Sequence, residues 1–219
     1  MVIDYRRLNN VTKKDSYPLP RIDDALDRLG GSKYFSAMDL ISGYWQIDLP
    51  KEEQEKAAII TAQGFFQPTQ MPQGLCNALA TFQWVMDDIL GELKLSSVLV
   101  YLDDINVFSR TFDDHLEHLA KVFKRLIAAN LKLKPKKCHF FKQELEYLGF
   151  VITKKGLKTQ DFKTLAIKNM ISPSSKRDVQ VFLGMVGYYR RFIPRFAVIA
   201  KPLFHLLKGD TKFLWTNDC

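Results

Sequence analysis

Tyr101-Leu102-Asp103-Asp104 lies between two β-prone runs, Val98-Leu99-Val100-Tyr101 and Ile105-Asn106-Val107-Phe108-Ser109, with no Gly, Pro or Lys in the stretch. β-branched and aromatic residues suit a pleated surface, so the segment predicts a β-hairpin. Its turn must then carry two adjacent carboxylates, which repel each other unless something cationic binds there. A third acid, Asp39, occurs in another apolar, strand-like run, Phe35-Ser36-Ala37-Met38-Asp39-Leu40. Acids at the ends of hydrophobic strands suit a divalent-metal site for phosphoryl or nucleotidyl transfer. The competing reading makes them a loop turn and a helix cap.

The 219 residues are enough to bury a substantial core, and predict one α+β body with a smaller helical appendage. No stretch approaches the roughly 18 consecutive apolar residues of a membrane span, and no signal peptide is visible. The formal net charge of +8 makes nucleic acid the first partner to consider, with a merely basic protein as the alternative. Cys76, Cys138 and Cys219 are too far apart for a zinc ribbon or a disulfide framework, and read as free thiols in a reducing compartment. His115 and His118 have a metal-compatible spacing but no second ligand pair, so a solvated helix face is preferred. The abrupt ends read as those of an excerpt from a longer polypeptide.

Periodicity predicts a strand at 2–6, an extended Pro18-Leu19-Pro20 linker and a helix from Ile22 to Leu29 stopped by Gly30-Gly31. Strands are expected at Tyr34–Leu40 and Tyr44–Leu49, with a hairpin at Ala57–Thr61 and Phe65–Gln70. A long helix runs from Asn77 to Leu93 with Leu79, Phe82, Met86, Ile89, Leu90 and Leu93 on one stripe. After the Asp-Asp hairpin comes an amphipathic helix over 113–129, its stripe formed by Leu116, Leu119, Val122, Phe123, Leu126 and Ile127. Short strands follow at Leu131–Leu133, Cys138–Phe141 and Glu146–Thr153. Beyond Gly156 the chain turns helical, with a variant capping box at Ser175-Lys176-Arg177-Asp178, a stop near Pro194 and a last helix over about Ala197–Leu207. The order describes a mostly antiparallel sheet backed by helices, without a phosphate-binding glycine loop.

Five ordered blocks resemble the reverse transcriptase of gypsy-type long-terminal-repeat retrotransposons. They are Val2 to Asn9, Phe35 to Ile47 (FSAMDLISGYWQI), Met71 to Gln83 (MPQGLCNALATFQ), Tyr101 to Ser109 (YLDDINVFS) and Phe182 to Phe192 (FLGMVGYYRRF). The resemblance implies a right-hand polymerase. Residues 1–155 would be fingers and palm, incomplete at the N-terminus, with 1–33 and 50–75 as fingers. Residues 156–208 would be a helical thumb, and 209–219 the start of a connection or ribonuclease H segment. It implies an RNA-directed DNA polymerase of a retrotransposon polyprotein, acting inside cells in cytoplasmic virus-like particles. Its partners would be an RNA or DNA template with annealed primer and deoxynucleoside triphosphates. Two Mg²⁺ ions would be its cofactors, with Mn²⁺ as a substitute. The rival readings are an inactive nucleic-acid-binding relic and a two-metal nuclease; no ribonuclease H block supports the last.

By the same resemblance Asp39, Asp103 and Asp104 are the catalytic carboxylates, Asp104 as a supporting charge, and the Leu40 carbonyl is a further metal ligand. Tyr44 would sit under the nucleotide sugar and exclude a 2′-hydroxyl, or it is ordinary packing. Gln73 would lie beside that sugar, and Gly74 would admit close template backbone. Lys137 would protonate the leaving pyrophosphate; a solvated basic cluster with Lys136 or a phosphate contact are equal alternatives. Tyr147, Leu148 and Gly149 match a primer-holding hairpin, or a core strand. Tyr188, Arg190 and Arg191 would meet backbone phosphates, and Gly184 and Gly187 serve either duplex approach or helix packing. Three residues depart from the family pattern: Gln73 for Phe, Leu79 for Pro, and Asn106 for an apolar residue. The sequence begins just after the position of the family's triphosphate-gripping Arg.

Overall fold

The computed structural model describes residues 3–154, 156–209 and 212–216, so Val2 and Cys219 lie outside the described residues. The chain divides into two compact units, Met1–Leu145 with Ile152–Gly156, and Glu146–Val151 with Leu157–Cys219. In the first, the N-terminal segment is not a strand. Asp4 accepts from the Arg6 backbone N–H and pairs with its guanidinium, and helix α1, Arg6–Val11, starts there. The extended Pro18-Leu19-Pro20 linker precedes α2, Ile22–Arg28, after which Gly31 adopts φ +78°. Strand β1 is Tyr34–Asp39. The run expected as a strand at Tyr44–Leu49 begins instead as a 3₁₀ turn, Gly43–Gln46, and only residues 47–49 extend to meet 69–71. Helix α3, Lys51–Gln54, leads to the predicted hairpin, β2 Ile59–Thr61 with β3 Gly64–Phe66.

Helix α4 is Ala78–Leu90, and Gly91 at φ +51° ends it before the short α5, Leu93–Ser96. Leu79 is exposed in the first turn of α4, where a backbone N–H has no helical acceptor, so Pro and Leu both fit. Strands β4, Val98–Tyr101, and β5, Asp104–Ser109, form the acid-bearing hairpin. Helix α6, Phe112–Ala128, is capped by Thr111, whose hydroxyl accepts from the Asp114 N–H. After a 3₁₀ turn at Pro135–Lys137 comes β6, His139–Lys142. Leu131–Leu133 makes only a single bridge, Leu133 to Leu40. The main sheet is antiparallel in the order β4-β5-β1-β6, and α4 and α6 cover one face around Met38, Phe82, Met86, Val100, Ile105, Val107, Leu119 and Val122.

The buried stripe of α6 is His115, Leu119, Val122 and Leu126, while Leu116 and Ile127 are exposed. The solvated-face reading of His115 is therefore wrong: the ring is fully buried. The Phe141 N–H donates to Ser36 Oγ at 3.1 Å, and that hydroxyl is hydrogen-bonded to His115 Nε2 at 2.7 Å. His115 Nδ1 is hydrogen-bonded to Ser109 Oγ at 2.8 Å, and Ser109 Oγ to His118 Nδ1 at 2.8 Å. A neutral imidazole satisfies every link of this chain, which joins β6, β1, α6 and β5. On the opposite sheet face Asn106 is buried with Nδ2 unpartnered, a loss of about 1–3 kcal/mol that an apolar residue would avoid.

Three short strands, β7 Glu144–Tyr147, β8 Phe150–Thr153 and β9 Gly156–Thr159, form a separate sheet in that order. The chain thus makes one more strand after Gly156 before turning helical. Helices α7, Asp161–Lys168, and α8, Lys176–Tyr188, follow. Ser175 caps α8 by accepting from the Asp178 N–H, and the Asp178 carboxylate, held low by its interactions with Ser175 and then Ser174, accepts from the Ser174 N–H and hydroxyl. Helix α8 stops at Tyr188 and passes into a 3₁₀ turn, Arg190–Phe192. The expected last helix is broken at Ala200 into α9, Phe196–Ile199, and α10, Lys201–Leu206. Pro202 explains the break, because it lacks an N–H and is tolerated only in a first turn.

Burial, and secondarily the neighbouring His118, pushes His115 down to about 4. Between that value and about 6.5 the unfolded chain binds a proton that the folded chain refuses, so stability falls as pH is lowered through this window. The His115 contribution is complete above about 6.5 and gone below about 4, and its loss by pH 5 is about 2 kcal/mol. Urea unfolding of wild type and His115→Gln at pH 7 and pH 5 checks this. The variant should lose about 2 kcal/mol less between the two pH values.

Candidate active site

The sheet register places Asp39, the last residue of β1, directly opposite Asp104, the first of β5. Directly opposed residues on antiparallel strands have Cβ atoms roughly 5 Å apart, and like charges there destabilise the pair. Asp103 occupies the two-residue loop between Tyr101 and Asp104, preceded by Leu102 at φ +59°. One Asp103 oxygen, Oδ1, is buried without a hydrogen-bond partner. Burial raises the Asp103 carboxyl first, then the charges of Asp104 and Asp39, with Lys137 opposing. Asp104 is open to solvent on one side, yet the protein around it and then Asp39 raise it too. The structure thus brings three acids together, and two of them, Asp103 and Asp104, resist losing their protons without a positive charge nearby.

The groups around the acids are positioned by backbone. Lys134 N–H donates to the Asp39 carbonyl at 2.8 Å, anchoring the 3₁₀ turn that carries Lys137. Lys137 Nζ then donates to Asp39 Oδ2 at 2.9 Å, and that bond is the chief reason its ammonium is held above its ordinary value. Leu40 is buried in the core and bridges Leu133. Ser42, at φ +49°, turns the chain so that Gly43 faces the acids: a Cβ on Gly43 would lie 3.1 Å from the Phe82 ring and 3.4 Å from Asp103 Oδ1. The half-buried Tyr44 ring packs on Phe82 at 5.1 Å between centroids. Its hydroxyl is raised by burial and then by the Asp103 charge, so Tyr44 belongs to the same cluster.

Gln73 and Gly74 belong to the loop between β3 and α4. Gln73 is exposed, and the Gly74 carbonyl accepts from Asn9 Nδ2 at 2.8 Å. Gly74 is required by its φ of +99°, since a Cβ there would meet only ordinary contacts. Within the second unit, Leu148 and Gly149 have φ values of +49° and +79°, the sign pattern of a tight type I′ hairpin. Tyr147 is buried, and the Leu148 carbonyl accepts from the Tyr188 hydroxyl. The Tyr188 ring stacks on Phe150 at 5.2 Å, and Arg190 and Arg191 are exposed on the next turn. A cavity of about 620 Å³ lined by Leu8, Ile47, Met71 and Leu75 includes none of the three acids.

Sequence reasoning missed Gly43, Phe82 and Gln83 as parts of the site. Gln83 is fully buried and accepts from the Leu102 N–H at 3.3 Å. A polar residue on the apolar stripe of α4 was the available signal. Among the described residues no group of three or more His, Cys, Asp or Glu forms a preassembled metal cage. The donor set nonetheless fits a hard divalent cation, since among the described residues Asp103 Oδ1 has no hydrogen-bond partner and Asp39 is paired with an exposed lysine. Lys137→Met should leave the urea midpoint nearly unchanged, because the pair is largely solvated. It should also tighten binding of Mn²⁺, read by electron paramagnetic resonance, because a competing cation is gone.

A profile described as reverse transcriptase (RNA-dependent DNA polymerase) matches residues 1–152. The chain is 44% identical over 212 residues to the retrovirus-related Pol polyprotein from transposon 297 of Drosophila melanogaster, covering 97% of the chain and 20% of that protein. It is 41% identical to the corresponding polyprotein from Drosophila transposon gypsy, covering 96% and 20%. The transposon Tf2-3 polyprotein of Schizosaccharomyces pombe is 36% identical, covering 99% and 16%. The chain thus spans about a fifth of the length of these relatives. Among solved structures, the foamy viral protease-reverse transcriptase in complex with double-stranded DNA superposes with a TM-score of 0.86 at 31% identity, over 100% of this chain and 38% of that one. The same viral protein with an RNA/DNA hybrid gives 0.77 at 31% identity, over 99% and 30%.

Proposed function

The chain belongs to the reverse transcriptase (RNA-dependent DNA polymerase) family, and from that premise we propose that Asp39, Asp103 and Asp104 carry metal-dependent nucleotidyl transfer to a primer 3′-hydroxyl. The observation behind this is the cross-strand placement of Asp39 and Asp104 beside a buried, unpartnered Asp103 oxygen. On this reading the first unit is fingers and palm and the second contains the thumb of a right-hand polymerase, acting on an RNA or DNA template, primer and deoxynucleoside triphosphates.

The three carboxylates and the Leu40 carbonyl would hold two divalent cations, Mg²⁺ or Mn²⁺ by their hard oxygen donors. Bound there, the cations supply a lowered pKa for the 3′-hydroxyl and neutralise charge developing on the phosphates. The chain's own residues do the rest. Tyr44, braced by Phe82, presents its ring to the nucleotide sugar and excludes a 2′-hydroxyl by contact. Gln73 lies beside that sugar and Gly74 keeps the template backbone close. Lys137 Nζ keeps its proton while paired with Asp39 and delivers it to the departing pyrophosphate once that pair opens. The Tyr147-Leu148-Gly149 turn, tied to Tyr188, steadies the primer end, and Arg190 and Arg191 take up backbone phosphates without reading sequence.

Primer extension tests the acids. In a polymerase carrying this chain in its full reading frame, Asp39→Asn and Asp103→Asn should each lower extension at least about 100-fold, or ~3 kcal/mol of barrier. Primer–template affinity should stay within about threefold. Extension within tenfold of wild type would refute the assignment.

Gly184 tests the duplex-facing role of α8. A Cβ on Gly184 meets nothing within 4 Å, so packing against this chain does not require the glycine. Gly184→Ala should therefore stabilise α8 by about 1 kcal/mol, seen as a higher melting temperature. It should also weaken primer–template binding several-fold by fluorescence anisotropy.

A further inference from the structure

Leu102 is the least comfortable residue of the catalytic hairpin. It is a non-glycine residue at φ +59° in the turn immediately before Asp103 and Asp104. Such a conformation persists only where surrounding contacts hold it. Its backbone N–H donates at 3.3 Å to Oε1 of Gln83, which projects from α4 and is fully buried. The other end of the same amide donates to Asp87 Oδ1 at 3.1 Å, one helical turn further along α4. A longer contact of 3.5 Å runs from Gln83 Nε2 to the Val100 carbonyl, on the strand leading into the turn.

Asp87 decides which way the amide faces. An ionised carboxylate can only accept, so it draws the NH₂ end of Gln83 towards itself and leaves the carbonyl end towards Leu102. Asp87 is in turn fixed by the Tyr17 hydroxyl, which donates to Oδ2 at 2.8 Å, and by Lys94 Nζ at 3.2 Å. Were the amide reversed, an NH₂ group would oppose the Leu102 N–H, two donors facing each other in a buried place. The neighbouring Phe82 supports Tyr44 and abuts Gly43, so consecutive residues of α4 brace both sides of Asp103.

We propose that Gln83 is a positioning residue for the catalytic acids: oriented by Asp87, it holds the Leu102 turn in the conformation that aims Asp103 and Asp104 at the divalent cation. The proposal rests on the reading of those acids as the metal site. It assigns Gln83 no contact with substrate.

The test uses the 219-residue chain with Gln83→Met, which keeps the length of the side chain but neither hydrogen bond, and Asp87→Ala, which leaves Gln83 but frees its amide to turn. Amide hydrogen exchange by nuclear magnetic resonance reads the turn, and Mn²⁺ titration by electron paramagnetic resonance reads the acids. In Gln83→Met, exchange at Leu102 should rise at least tenfold while Met86 and Leu90 in α4 stay within twofold. The Mn²⁺ dissociation constant should rise at least threefold. In Asp87→Ala both changes should appear in the same direction and smaller, and this variant carries the test if Gln83→Met does not fold. Unchanged Leu102 exchange in the folded variants overturns the proposal. So does faster exchange with unchanged Mn²⁺ affinity, which would make Gln83 merely structural. Asp103→Asn, run alongside, separates the premises: if it leaves Mn²⁺ binding unaltered, the reading of the acids fails on its own account.

Discussion

The antiparallel pairing of β1 with β5 is the constraint from which the site follows. Its register runs from Tyr34 opposite Ser109 to Asp39 opposite Asp104 without interruption. Alternation then sends Ser36 and Met38 to the helix-covered face and Phe35, Ala37 and Asp39 to the other. A slip of one residue would exchange these faces, turning Asp39 towards the α6 side and Met38 onto the face that carries the acids. The Ser36–His115–Ser109 chain opposes such a slip from the buried side, since it needs both serines on the α6 face at once. The same pairing sets two carboxylates against each other at its end, an arrangement that weakens the sheet and gains meaning only with a cation.

Two departures from regular backbone geometry lie beside the acids. Ser42 and Leu102, both non-glycine residues at positive φ, flank Asp39 and Asp103 in the chain, and Gly43 lies against the Asp103 carboxylate. A regular strand through 44–49 would carry Tyr44 away along the sheet. The 3₁₀ turn brings its ring onto Phe82 instead, within electrostatic reach of Asp103. Local strain here is the counterpart of a dense first unit, whose core from Met38 to Leu131 supplies the rigidity that holds it.

Much of this was legible in the residues. The acid-bearing hairpin, α2, α4, α6 and the β2–β3 hairpin follow from period and punctuation, and the three acids from their place at strand ends. What stayed hidden was decided by contacts far apart in sequence. His115 looked like a solvated histidine because its partners, Ser36 and Ser109, lie on two strands whose adjacency no periodicity announces. Gln83 was one polar residue on an apolar stripe, and its partners are a turn 19 positions away and Asp87, which the distant Tyr17 hydroxyl holds in turn. Tyr44-Trp45-Gln46-Ile47 has strand composition, but Gln46 bonds the Ile41 and Lys132 carbonyls and closes the turn that composition could not foretell. Strand β9 was lost because Leu157 is the one large apolar residue in Gly156-Leu157-Lys158-Thr159, so no alternation marks it.

The most direct test of the central claim, that Asp39, Asp103 and Asp104 form one divalent-cation site, is paramagnetic mapping on the intact chain. Mn²⁺ is added in substoichiometric steps while backbone amide signals are followed. The account predicts that Asp39, Leu40 and residues 102–105 broaden first and together, that an excess of Mg²⁺ restores them, and that Asp103→Asn shifts their broadening to higher Mn²⁺. First broadening at the exposed acids of α6, Asp113 and Asp114, with residues 39 and 102–105 untouched, would contradict it.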